Sequence, residues 1–340
     1  MIPYYKPHLG IDEKNAVSRV LDSGWITQGP EVEAFEKEFA ERNGSKYGIA
    51  VSNATTGLFL AARYMGMFYS SFSIPRYTYA ATFQAVYAAV KDWKRAIYLI
   101  DCNNSYETDT TAQKGCSVYV NLGGRPVAHP ISRNWYDSID DMAHRYPENI
   151  KEKGRIQVFS FYANKLITTG EGGMICTDDD DAYILMKNWK QHSKPLGSFD
   201  YRFREEGYNF KMTDIQASIG REQLKKMDML KKSRQDVSQY YSLWFSKTEV
   251  EPYCAYGEDH HCHLYMIKLK SKEVREKVER KLKENGIGYS RHFQPIILSN
   301  ELPTELTSVD LFERSLSLPI YPNIEEEDLN KIIKTVVEAL

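Results

Sequence analysis

Apolar positions in the first half of the chain alternate between two periods. Over residues 11–23 they form one helical stripe (Ala16, Val17, Val20, Leu21), with Asp12 placed to cap the start and Gly24 to end it. Residues 30–43 repeat the arrangement, with Pro30 in the first turn, Val32, Phe35 and Phe39 on one face, and Gly44 as the stop. A short apolar strand is predicted over 47–51 and a helix over 55–65. Strand-like runs recur at 72–75, 96–100, 116–121, 156–161 and 173–177, with a helical pattern at 79–90. Apolar runs that alternate with helices predict a sheet buried between two helix layers.

The pattern changes after about residue 210. Two successive helices are predicted over 212–227 and 229–245, then a strand over 263–269 and a charged helix over 272–285 ended by Gly286. Residues 306–316 and 324–340 also read as helical. The expected architecture is a three-layer α/β/α large domain, residues 1–225, followed by a smaller α+β domain, residues 226–340. The acidic run Asp178–Asp181 reads as a helix start, where carboxylates favour the N-terminal dipole, and not as a metal site.

Composition narrows the class. Lys+Arg 44 against Asp+Glu 46 gives a formal charge of −2, so no basic field recruits nucleic acid or anionic lipid. The longest apolar runs fall far short of the roughly 20 residues of a membrane helix, and the first residues lack the character of a signal peptide. Five cysteines without a C-x-x-C pair give the expectation of reduced thiols in the cytoplasm.

Chemistry concentrates in three places. Phe159-Ser160-Phe161-Tyr162-Ala163-Asn164-Lys165 runs from a strand end into a loop, and Gly170-Glu171-Gly172-Gly173 follows. A lysine there is either a solvated charge or, if desolvated, a Schiff-base nucleophile. Ser138-Ile139-Asp140-Asp141 precedes it; Asp141 is either a helix cap or a carboxylate for a protonated ring nitrogen. Asn53-Ala54-Thr55-Thr56-Gly57 joins a strand to a helix, where the same letters serve simple capping or a phosphate site.

The order of these features, nearly end to end, resembles the DegT/StrS-type sugar aminotransferases, pyridoxal phosphate enzymes of the aspartate aminotransferase fold. Further motifs carry the resemblance: Ser23-Gly24-Trp25-Ile26-Thr27-Gln28-Gly29-Pro30, Pro75-Arg76-Tyr77-Thr78-Tyr79, Gly207-Tyr208-Asn209-Phe210-Lys211-Met212-Thr213-Asp214, and Ser317-Leu318-Pro319-Ile320-Tyr321-Pro322. It implies pyridoxal 5'-phosphate as cofactor, with Lys165 as the Schiff-base lysine and proton carrier. It implies Asp141 at the pyridine nitrogen, Tyr79 stacked on the ring and His144 near the ring oxygen. Ala54, Thr55, Thr56 and Ser160 would hold the phosphate, and Asn209 would reach the phosphate of a neighbouring subunit, in a homodimer with shared active sites. Thr27 and His292 are candidates for substrate contact. L-glutamate is the implied donor and a nucleotide-linked keto sugar the implied acceptor. A keto-cyclitol acceptor, or a cofactor-binding regulator without turnover, are the alternatives. Lys165 speaks against the dehydratase branch, where histidine takes its place.

The chain also departs from the pattern. Ala54 stands where glycine usually opens the phosphate turn, and Asn121-Leu122-Gly123-Gly124-Arg125-Pro126 stands where a histidine-containing segment is usual. The connections 101–116 and 126–136 are short, so helices usually found there are expected to be trimmed or lost.

Overall fold

Helices α1 (Ile11–Ser23) and α2 (Pro30–Asn43) stop at Gly24 and Gly44, both in the left-handed conformation (φ 73° and 64°) that glycine adopts without strain. The start of α1 differs from the expectation. Gly10 occupies the N-cap, and Glu13, not Asp12, accepts its N–H at 2.7 Å, because the third helical position is the one that reaches back. In the computed structural model, residues 1–91, 95–109, 112–127, 137–150, 153–193, 206–253, 259–299 and 306–340 are described.

Strand β1 (Tyr47–Val51) leads into α3 (Ala54–Met65), and β2 (Ser71–Pro75) into α4 (Ala80–Val90). Strands β3 (Ala96–Ile100), β4 (Cys116–Val120), β5 (Ser138–Asp141), β6 (Ile156–Ser160) and β7 (Gly173–Thr177) follow, then α5 (Asp180–Trp189), which Asp179 caps. The seven strands lie in the order β1-β7-β6-β5-β4-β2-β3. Only β7 runs against its neighbours, so the carboxyl ends of all the others share one edge. Side chains alternate between two cores. Val158 and Ile175 join Leu58, Phe72 and Val86 on one side; Phe159 and Met174 join Phe35, Phe39 and Met212 on the other. That is the three-layer arrangement.

Helices α6 (Asp214–Lys225) and α7 (Met227–Phe245) continue the chain. Met227 and Leu230 of α7 pack with Phe35, whereas Val237, Tyr241 and Phe245 belong to a separate core with Ile267, Leu316 and Ile332. That second core is built on β8 (Glu251–Pro252), β9 (Tyr265–Lys268), α8 (Lys272–Glu284), α9 (Thr307–Arg314), β10 (Ser315–Leu318) and α10 (Glu326–Val337). Its sheet is antiparallel in the order β10-β9-β8. The helix expected over 306–316 stops at Arg314. Ser315–Leu318 instead pairs with β9, burying Leu316 and Leu318 completely in the two-residue period of a strand.

No α-helix lies among the described residues between β3 and β4, where Cys102 bridges to Thr108. Of the other short connection, residues 128–136 lie outside the described residues. Among the described residues no helix is long and apolar enough to cross a membrane. Cys102, Cys116, Cys176 and Cys262 are buried free thiols; Cys254 lies outside the described residues.

Candidate active site

At the shared carboxyl edge of the large sheet a cavity of about 800 Å³ opens. Open α/β sheets place ligand sites at this edge. Ala54, Thr55, Thr56, Tyr79, Asp141, His144, Ser160, Lys165 and His292 all line it, although the sequence scatters them over more than two hundred positions.

The α3 turn forms one wall. Asn53 is the N-cap: its side chain accepts the Thr56 N–H at 2.9 Å and its carbonyl the Gly57 N–H at 3.2 Å. Among the described residues, nothing accepts the N–H groups of Ala54 and Thr55, the first two helical positions. Capping and anion binding therefore divide the turn rather than compete for it. The glycine cluster opposite has a steric cause. A Cβ on Gly173 would lie 2.7 Å from the Ala54 nitrogen, so β7 can pass beneath the turn only as glycine, and Gly170 (φ 81°) turns the preceding loop.

Asp141 ends β5 and does not cap a helix. Strand alternation sends Asp140 the other way, to accept the Gly154 N–H at 2.7 Å. The buried Asp141 carboxylate accepts the Ala143 N–H at 3.1 Å and the Thr82 hydroxyl at 2.9 Å. Thr82 is itself 2.9 Å from the Thr78 hydroxyl, one turn earlier. Burial pushes the carboxyl up, against those two hydrogen bonds and the Lys165 charge. A desolvated carboxylate of this kind gains most from a cation in the cavity.

Lys165 follows β6, its N–H donating to the Tyr162 carbonyl at 2.9 Å. Burial lowers its amine to about 8, with Asp141 pulling in the opposite direction. Three imidazoles share the space. His144 is pushed well below its ordinary range, first by burial and then by Lys165 and His292; burial and Lys165 take His292 down to about 3. His263 is likewise low, through burial first. All three are neutral at pH 7. His144 Nδ1 accepts the Gly123 N–H at 3.0 Å, so its remaining proton sits on Nε2. The segment that departs from the family pattern thus fixes this tautomer. His292 is held by the Ser317 hydroxyl at 2.8 Å, and the Tyr77 hydroxyl donates to its carbonyl at 2.7 Å.

Two candidates do not line the cavity. Asn209 bridges to Gln191, and its side-chain oxygen accepts from Lys211. Thr27 uses its carbonyl to accept the Asp214 N–H at 3.0 Å. The Asp214 carboxylate in turn accepts the N–H groups of Gly29 (2.7 Å), Glu31 (3.1 Å) and Val32 (3.0 Å). It caps α2, whose own N-cap glycine has no side chain, and so ties the Thr27 loop to the helix that follows Asn209. Sequence reasoning missed Thr82, His263, Phe293 and the capping role of Asp214. Each acts across elements distant in the chain, and only the four-residue spacing of Thr78 and Thr82 was visible beforehand.

The donor set fits pyridoxal 5'-phosphate. Free N–H groups at a helix start suit its phosphate, the buried Asp141 its ring nitrogen, and the desolvated Lys165 amine its aldehyde. The buried Asp141 carboxylate, held by two neutral donors and pushed up by desolvation despite Lys165, is the observation that most favours such a partner.

Comparisons with known proteins bear on the family and the fold. An uncharacterized protein of Methanocaldococcus jannaschii is 32% identical over 98% of this chain and 96% of its own length. The spore coat polysaccharide biosynthesis protein SpsC of Bacillus subtilis is 28% identical over the same shares. Among solved structures, Helicobacter pylori PseC, an aminotransferase involved in the biosynthesis of pseudoaminic acid, superposes with a TM-score of 0.88 at 23% identity, covering 99% of this chain and 98% of its own. A putative sugar aminotransferase of Streptococcus pneumoniae in its PLP-form gives 0.87 at 22% identity, covering 100% and 99%. The sequence pattern of one family matches residues 7–112 and 135–337, which include every candidate residue above, and this chain therefore belongs to the DegT/DnrJ/EryC1/StrS aminotransferase family.

Proposed function

We propose that this aminotransferase uses pyridoxal 5'-phosphate to move an amino group from L-glutamate to a nucleotide-linked keto sugar, in amino-sugar and surface-polysaccharide biosynthesis. The observation that carries the reading is the convergence, in one cavity, of a desolvated lysine, a buried carboxylate and a helix start whose first two N–H groups its cap does not take. The similarity to SpsC, a spore coat polysaccharide biosynthesis protein, supports the sugar acceptor.

When bound, the cofactor supplies an electron sink for the carbon from which a proton is removed. Asp141 keeps the ring nitrogen protonated, and Thr82 aims its carboxylate. Lys165 Nζ would hold the cofactor through its aldehyde and, as a free amine, would take up and return the proton moved during transfer. A lysine near 8 is free base often enough at neutral pH to do so. His144 donates its Nε2–H toward the ring oxygen, Tyr79 covers the ring face, and the Ala54–Thr56 turn with Ser160 binds the phosphate. The Ala54 methyl narrows that turn relative to the usual glycine. His292, which lines the cavity, would contact substrate; Thr27, which lies outside its own chain's cavity, would do so only in the site of a second subunit.

Asn209 serves the phosphate of a second subunit, making the functional unit a homodimer with shared sites. Its absence from its own chain's cavity supports this. So does the exposure of the adjacent Trp25 and Ile26, at 56% and 51%, two large apolar side chains on the Thr27 loop.

Purified protein given the cofactor should show a visible absorbance band that L-glutamate bleaches and a nucleotide-linked keto sugar restores. Lys165→Ala should fold, lack that band and lose transfer. An unchanged spectrum on adding cofactor to wild type, or activity of Lys165→Ala within about tenfold of wild type, would refute the reading.

A further inference from the structure

His263 takes no part in the chemistry above, yet it lines the same cavity. It sits just before β9, only 3% exposed, and its buried Nδ1 has no hydrogen-bond partner among the described residues. A buried orphan nitrogen is costly, and less so as a bare lone pair than as an N–H, so the proton of this neutral ring belongs on Nε2. Its ring lies 4.4 Å from that of His144, tilted by 37°. Phe293 is the other aromatic neighbour of His144, at 5.7 Å and 19°.

The backbone repeats the connection. The N–H groups of His263 and Leu264 donate to the Gly123 carbonyl at 2.9 and 3.2 Å, and the Gly123 N–H donates to His144 Nδ1 at 3.0 Å. One residue thus reaches His144 twice: ring against ring, and through Gly123, whose carbonyl it holds and whose N–H, in the preceding peptide group, sets the His144 tautomer. Gly123 adopts φ +64°, so its N–H direction depends on a conformation that few other residues would keep. On the far side, the His263 carbonyl accepts from the buried Arg234 at 3.4 Å, which anchors it to α7.

We propose that His263 is a positioning residue for the amino-transfer site: its ring braces His144 in the one orientation that keeps Nδ1 on the Gly123 N–H and presents Nε2–H to the cavity. The Asn121–Pro126 segment, where this chain departs from its family pattern, supplies that N–H. The inference rests on the proposed function for what His144 donates to. The locking itself is a property of the protein alone.

The test separates the two. In cofactor-free protein labelled with ¹⁵N-histidine, His144 should give one tautomer, Nδ1 unprotonated and Nε2 protonated. His263→Ala should give averaged His144 shifts and bind pyridoxal 5'-phosphate about tenfold more weakly, as expected for one misdirected hydrogen bond. His263→Phe, which keeps a ring against His144, should restore the single tautomer. If His263→Ala does not fold, His263→Asn, also without the ring, replaces it with the same expectation. A single unchanged His144 tautomer in the ringless variant, with affinity within twofold of wild type, overturns the proposal. So does averaging in His263→Phe as complete as in the ringless variant. Failure of wild type to bind the cofactor would instead count against the proposed function, since the tautomer is read without it.

Discussion

The lysine amine offers the most direct check of the site's electrostatics. Lys165 is lowered from the ordinary lysine value to about 8 by burial, partly offset by Asp141. At pH 7 about one amine in ten is then free base, against about 0.03% for a lysine near 10.5, a gain of roughly 300-fold in reactive amine. Access through the cavity slows any reagent, so the pH profile is the better observable than the absolute rate. Cofactor-free protein would be reductively methylated across pH 6–11, following the Lys165 peptide by mass and using added Nα-acetyl-lysine amide as the reference amine. The Lys165 rate should level off above about pH 8, while the reference amine continues to rise. Asp141→Asn removes the charge that favours the ammonium, so its plateau should begin at still lower pH. Coincident profiles for Lys165 and the reference amine would refute the desolvation argument. An unshifted midpoint in Asp141→Asn would show that Asp141 carries no charge in the cofactor-free site.

Other consequences test the surroundings. Asp214→Ala leaves three N–H groups at the start of α2 without their acceptor and should lower stability by about 3 kcal/mol, with Asp214→Asn intermediate, read as melting temperature; an unchanged melt would remove its capping role. His261 Nδ1 accepts the Tyr146 N–H at 2.8 Å and its Nε2 donates to Glu148 at 2.8 Å, so it is neutral when folded; burial takes it to about 4. The unfolded chain therefore binds its proton first, and His261 alone should contribute a loss of about 3 kcal/mol as pH drops from about 6.5 through 4, a share that His261→Asn should remove while the other buried histidines keep the rest of the limb. Glu148, held at about 2 against burial by His261 and Lys231, adds a second loss below its ordinary range. Finally, inactive Lys165→Ala and Asn209→Asp chains refolded together should recover about a quarter of wild-type activity if Asn209 serves the partner's site, and none if it serves its own.

Local periodicity carried most of the fold. Helix ends at Gly24 and Gly44 and the strands around Ser160 and Gly173 follow from short windows, because each end is set by residues within a turn of it. The exceptions are non-local. Ser315–Leu318 has a helical neighbour and becomes a strand only because β9 offers an edge to a segment with two buried leucines. Glu13 displaces Asp12 as the capping acid because the third helical position has the reach.

The site shows the same division more sharply. Lys165, Asp141 and the Thr55 turn could be singled out as candidates because Asp141 closes a strand, Thr55 opens a helix and Lys165 lies in the loop that follows β6, all at the carboxyl edge of the sheet. Which of two adjacent aspartates faces the cavity was not legible from the residue pair, but follows from alternation once β5 is known to be a strand. The orientation of each group lies deeper. Asp141 is aimed by Thr82 from α4, His144 by Gly123 from a loop and His263 from before β9, and the Thr27 loop by Asp214 from α6. Every one of these supports crosses from one element to another. The chemistry of a group can therefore be read from its own letter, while its direction belongs to the fold. A relative that kept Lys165 and Asp141 but changed Gly123 or Thr82 would keep the reactive groups and lose their alignment.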